Sequence, residues 1–270
     1  MKTTLFAFSL AITLALSGAP LTKGTFTEVI NEVSVLAADT KAATPAKLQE
    51  LVEAPNSVRT GARSRAELTA PDETITRVGA NTVFSFTAAN RTYNLDKGSL
   101  LFQSRKGKGG GTIRSGGASA AVLGTTIMIG ATDTGGFKVI LLEGSGQVIL
   151  ADGRSVLLKA GQMVFVLPNN QGFSGILDIH LGNLVAGSLL INGFSRPLPS
   201  NDLIQRAIKR QQRLIARGGA TDTGQRAGRI PPGGGIDPID PNNWQAVIPP
   251  IPAFPPPTRD PQQDPVNPQF

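Results

Sequence analysis

Short runs rich in Val, Ile and Phe recur from residue 26 to about residue 166, each cut off by Gly, Asn or Asp. That rhythm belongs to strands and turns rather than to helices. In VFSF (83–86), Phe84 and Phe86 share one face and Val83 and Ser85 the other, because side chains alternate along a strand. Two aromatics on one side mark it as the core face. The pattern predicts an all-β fold, either an antiparallel sandwich or a β-roll of short strands; spacing alone does not choose between them. Turns are expected at 71–73, 89–90, 97–98, 135–136, 152–153 and 160–161. Residues 26–35 form a candidate first strand, and KLQELVEA (47–54) either has a short helical spacing or simply leads into the next strand. Arg63, Arg65 and Glu67 alternate and are expected to point outward together.

The C-terminal third reads differently. SNDLIQRAIKRQQRLIAR (200–217) predicts an amphipathic helix, with Ser200 or Asp202 at its start and Gly218 after its end. Leu203, Ile204, Ala207, Ile208, Leu214 and Ile215 form its apolar face, and Arg206, Lys209, Arg210 and Arg213 make the rest basic. From Gly218 the composition turns to Pro, Gly, Asp and Asn, and IPPIPAFPPP (248–257) predicts extended polyproline in a disordered tail. The expected organisation is a signal peptide over 1–24, a β domain over 25–195, a basic amphipathic helix over 196–217 and a Pro/Gly-rich tail over 218–270.

Lys2, the apolar stretch 5–16 and the small residues 17–19 resemble a secretory signal, too short for a membrane span of about 20 residues. The expected location is therefore outside the cytoplasm, in the periplasm or cell envelope. An uncleaved N-terminal anchor is the competing expectation. No cysteine is present, which excludes disulfides and thiolate chemistry. The net charge is +7, with five basic residues and one acidic residue in 200–217 alone. No nucleic-acid motif accompanies that excess, and nucleic acid is not an expected partner.

Little points to catalysis. His180 is the only histidine, no GxSxG elbow is present, and no carboxylate pair has a catalytic spacing. Neither a metal nor a cofactor is expected, and a carbohydrate-active enzyme is disfavoured. RKGKGGGTIR (105–114) places Arg105, Lys106, Lys108 and Arg114 among glycines, a composition that suits an anion held by backbone amides, yet it does not match the GxxxxGK[ST] phosphate loop. A solvated hairpin connection is the simpler reading. Arg206, Lys209, Arg210, Arg213 and Trp244 are the candidate partner-binding residues. The simpler reading docks the helix on the β domain with its basic face in water and leaves Trp244 an isolated aromatic in a linker; the sharper one fits the basic face to an anionic membrane surface, an acidic glycan or a protein.

RTGARSRAEL (59–68), TRVGANTVFSF (76–86), LGTTIMI (123–129), KVILLEG (138–144) and LLKAGQMVFV (157–166), in that order, resemble the FecR domain, and FTEVINEVSVL (26–36) is similar to its opening strand. Asp72-Glu73 departs from the Asp-Gly turn of that family, and Arg59, Gly61, Ser64, Gly124 and Thr125 match it as fold determinants. The resemblance implies a periplasmic β region of the kind that relays the state of an outer-membrane transporter to a sigma factor. That relay needs a cytosolic segment before the membrane span, whereas the apolar stretch here begins at Leu5. The leading expectation is thus an exported, non-enzymatic FecR-like domain that binds another envelope component, protein or polysaccharide. The alternative is a membrane-tethered FecR-type signalling protein.

Overall fold

The computed structural model describes residues 20–88, 90–132, 135–167 and 172–218. Residues 1–19 of the expected signal, the Pro/Gly-rich tail from 219 and Trp244 lie outside the described residues. The strands are β1 (Lys23–Ile30), β2 (Val33–Leu36), β3 (Ala43–Pro45), β4 (Leu51–Glu53), β5 (Ser57–Thr60), β6 (Arg65–Thr69), β7 (Ile75–Val78), β8 (Val83–Phe86), β9 (Thr92–Gln103), β10 (Gly111–Ser115), β11 (Ala118–Val122), β12 (Thr126–Ala131), β13 (Phe137–Glu143), β14 (Ser145–Leu150), β15 (Ser155–Lys159), β16 (Gln162–Val166) and β17 (Leu177–Asp178). Helices α1 (Leu181–Gly187), α2 (Leu189–Asn192) and α3 (Asn201–Ala216) follow.

The strands form two sheets. One runs β4, β1, β6, β7, the second half of β9, β12, β13, β16, β17, antiparallel throughout. The other runs β3, β2, β5, β8, the first half of β9, β10, β11, β14, β15, and only β9 and β10 are parallel. Because β9 belongs to both, the hydrogen-bonded network is continuous. The fold is all-β with a minor helical part, as the strand rhythm implied.

Phe26, Val58, Phe84, Phe86, Tyr93, Phe102, Ile113 and Phe137 fill the space between the sheets. Phe84 and Phe86 are there as their alternation required. A second apolar core lies on the far side of the first sheet, where Ile75, Leu101, Met128, Ile140, Leu142, Met163 and Phe165 pack against Leu181, Leu184, Leu190, Ile204 and Ile208 of the helices. The first sheet is therefore covered on both faces; we call it the covered sheet and its partner the open sheet. The near-continuous burial of β12 and β13 follows, since a strand with apolar cores on both sides has no solvent face.

Several local expectations change. The stretch 26–35 is two strands, β1 and β2, because Asn31 adopts a left-handed backbone (φ 59°) and redirects the chain from one sheet to the other. Residues 51–53 form β4, so 47–54 leads into a strand rather than a helix, one of the two readings its sequence left open. Lys97 and Gly98 are not a turn but the crossing point inside β9: Gly98 has φ +91°, and a Cβ there would stand 2.4 Å from the Thr82 Cα. Arg63, Arg65 and Glu67 do not point outward together, for Arg63 sits in a turn (φ 54°) while Glu67 is buried beneath the helices. In α3, Leu203 and Leu214 are exposed rather than part of the buried face. The connection 105–110 does not close a hairpin, since it delivers β10 parallel to the first half of β9.

Candidate functional site

The outer face of the open sheet is an uncovered surface with a regular construction. Reading across the register, Ser34 faces Arg59, Ser57 faces Ser85, Ser85 faces Asn94, Asn94 faces Arg114, Arg114 faces Ser119, Ser119 faces Ile149 and Ile149 faces Ser155. A second row passes through Thr112, Ala121, Gln147 and Leu157. Their in-between neighbours Val58, Phe84, Ile113, Ala120 and Val148 point into the core, so alternation fixes which side chains are presented. The surface is mainly hydroxyl and amide, with Arg59, Arg114 and Lys159 as cations and an exposed Leu157 on edge strand β15. A cleft of about 370 Å³ lies at one end of this sheet, lined by Asn94, Asp96, Arg114, Ser115 and the backbone of the β10–β11 turn, and by Thr132 and Gly135 of the β12–β13 connection of the covered sheet. Gly116 (φ 53°) and Gly117 (φ 87°) make that turn, and Gly116 is held so close to the Gly135 carbonyl that a Cβ would come within 2.7 Å.

The four cations of 105–114 are not gathered into one anion cradle. Arg105 forms an exposed ion pair with Glu73 at 2.6 Å, and Lys106 and Lys108 are exposed in the connection before β10. Arg114 lies near the other end of that strand, in the cleft. Beside this connection, Arg91 reaches Asp72 at 2.5 Å and donates to the Gly110 carbonyl at 2.7 Å, tying three loops together.

On the opposite side, α3 is fixed by a polar staple. Gln211 accepts from the Leu181 amide at 2.9 Å and donates to the carbonyls of Ile179 (2.6 Å) and Gly161 (3.3 Å). At the start of the helix, the Thr126 hydroxyl lies 2.8 Å from Ser200 Oγ and 3.0 Å from Glu143 Oε1. Ser200 thus contacts the sheet and its side chain makes no capping bond. Burial pushes the Glu143 carboxyl above its ordinary range, against the pull of its hydrogen bonds to Thr126. Arg206, Lys209, Arg210 and Arg213 are all exposed on the far side of the helix.

A buried ion pair escaped sequence reasoning. Arg77 on β7 donates to Glu67 Oε2 on β6 at 2.8 Å and to the carbonyls of Ile191 (2.8 Å), Leu190 (3.2 Å) and Arg196 (2.5 Å), with the Phe194 ring 4.4 Å away. Thr27 donates to the other Glu67 oxygen at 2.8 Å. Burial lowers the Arg77 pKa, opposed by Glu67, and every partner belongs to the protein itself. The sequence carries no signal for the pair, because the register that sets Glu67 opposite Arg77 comes from the pairing of β6 with β7. His180 is likewise engaged structurally: it caps α1, its Nδ1 accepting from the Asn183 amide at 3.1 Å. Among the described residues no three His, Cys, Asp or Glu side chains converge to hold a metal ion, and no helix is long and apolar enough to cross a membrane.

The central strands of both sheets are also the part of the chain with a recognisable relative. Residues 56–145 match the FecR protein family. The FecR segment spans β5 to β13 and reaches the first residue of β14, so it includes the crossing in β9, the cleft and the Glu67–Arg77 pair. Helices α1 to α3 lie beyond it. Two crystal structures of an anti-sigma factor candidate from Parabacteroides distasonis ATCC 8503, at 1.65 and 2.50 Å, are similar at 19% and 18% identity with TM-scores of 0.39 and 0.38. Each match covers 43% of this chain and 57% of that one, little more than half of its length. No curated protein matches the chain.

Proposed function

We propose that this protein is a non-enzymatic, exported FecR-type module that recognises another protein of the cell envelope through the outer face of its open sheet. The observation that carries the reading is the asymmetry of the two sheets: one is sealed by the helical layer, the other presents Ser85, Asn94, Arg114, Ser119 and Gln147 to solvent. Nine strands about 4.8 Å apart and roughly 15 Å long make a face of about 600 Å², comparable with the ~800 Å² that one partner contributes to a standard interface. Hydroxyl, amide and arginine groups suit a partner's backbone and carboxylates. Protein is favoured over polysaccharide because Phe84, Phe86, Tyr93 and Phe102, the aromatic rings carried by the central strands, are all inside the core and offer no stacking platform.

The second reading, a membrane-tethered FecR-type protein sensing an outer-membrane transporter, is favoured by the FecR match alone. Crosslinking of the full chain in cells, with mass spectrometry of what is captured, separates the two. A transporter or sigma-factor system moves the signalling reading forward, other envelope proteins support a general binding module, and capture of polysaccharide alone contradicts the protein-recognition reading.

A further inference from the structure

Helix α3 carries a second surface whose chemistry differs from that of the open sheet. At 3.6 residues per turn, Arg206, Arg210, Arg213 and Arg217 fall within about 60° of one another around the helix, with Lys209 just beside them. All five are exposed, and the only acidic residue of the helix is Asp202 in its first turn. The opposite side, Ile204, Ala207, Ile208 and Gln211, is held in the second core, so the stripe is turned away from the covered sheet. Leu203 and Leu214 border the stripe on one flank and are 45% and 46% exposed.

We infer that this outer face of α3 docks on a surface of anionic lipid headgroups. A focused acidic ligand is matched by cations converging on a point. Here the cations are instead strung along about three turns of helix, roughly 16 Å, with apolar residues at one margin. That is the arrangement by which a helix lies in an interfacial plane, its cations among the headgroups and its leucines dipping toward the acyl boundary. The layer order gives the contact a consequence. Helices and open sheet lie on opposite sides of the covered sheet, so lipid contact through α3 leaves the polar sheet face directed away from the bilayer. The inference is independent of the partner proposal, since it uses none of the open-sheet residues.

The test is flotation of the full chain with vesicles of phosphatidylcholine, alone or with about one-third phosphatidylglycerol. Binding is expected only to the anionic vesicles and is expected to weaken steeply as salt is raised. Each basic residue near such a surface is worth about a factor of five, so the triple variant R206Q/R210Q/R213Q is expected to bind roughly a hundredfold more weakly. The double variant L203S/L214S is expected to lose several-fold while keeping the salt dependence. Circular dichroism and thermal melting check that these exposed-site variants remain folded. The control R59Q/R114Q/K159Q removes the same charge from the open sheet and is expected to retain binding at the parent level. Equal binding to neutral vesicles, retained binding by the triple α3 variant, an equal loss in the control, or binding only to an acidic polypeptide such as polyglutamate would each overturn the inference.

Discussion

Arg77 and Glu67 form a buried ion pair whose loss is costly to the fold. Arg77 is fully buried, and its guanidinium serves Glu67 and three carbonyls of the 190–196 segment. Removing one partner of a buried pair strands the other charge without solvent, at a cost of about 3–5 kcal/mol. Arg77→Ala is therefore expected to lose about that much in urea unfolding. Glu143 behaves in the opposite sense. Its folded pKa is raised from 4.5 by burial, so the folded state favours the protonated form. The associated stabilisation is fully present below the ordinary glutamate pKa and is lost as pH rises through the raised value. Glu143→Gln, uncharged throughout, is expected to gain stability relative to the parent as pH rises from about 4 to 7, a trend read from denaturation midpoints across that range. A difference independent of pH would show that the carboxyl does not titrate in this way. Neither residue was visible as special in the sequence. Glu67 looked like one of three alternating surface charges because its partner lies across a strand pair.

At the scale of elements, β9 and α3 do the most to place the surfaces. β9 was legible as strand on both sides of Lys97-Gly98, but the dipeptide reads as a turn, and only the close approach of Thr82 shows why a glycine is needed within a continuous strand. The aromatic alternation of β8 was legible because a single buried face imposes a period of two. Helices α1 and α2 were not, since at seven and four residues they are too short to display a helical period. The position and basic character of α3 were legible, and so was its docking on the β domain through an apolar face; the polar part of that docking was not, since Gln211 looks like a surface polar residue until its three backbone partners are seen. Gln211→Ala removes the partner of the Leu181 amide and a donor to the Ile179 carbonyl, while the Gly161 carbonyl keeps the Ile179 amide at 2.9 Å; at about 1–3 kcal/mol for each such loss the variant is expected to be destabilised by at least that amount. Hydrogen exchange is expected to rise first at the amides of Leu181 and its neighbours in α1; unchanged protection there would mean the staple is dispensable.

At the scale of the molecule, three layers give two unlike surfaces. The helical layer carries the cationic stripe, the covered sheet is sealed between two apolar cores, and the open sheet offers a polar face with a cleft at Arg114. Arg105, Lys106, Lys108 and Arg114 are neighbours in sequence, but a parallel β10 separates the first three from the last, which is information that topology holds and composition does not. The central claim is that the open sheet is the recognition face, and site-resolved photocrosslinking in cells tests it most directly. A photoreactive residue at Ser85, at Ser119 or, as control, at Ala186 on α1 reports what each layer touches. The account predicts a common protein adduct from Ser85 and Ser119 that is absent from Ala186; an adduct from Ala186 alone, or equal adducts from all three positions, would contradict it.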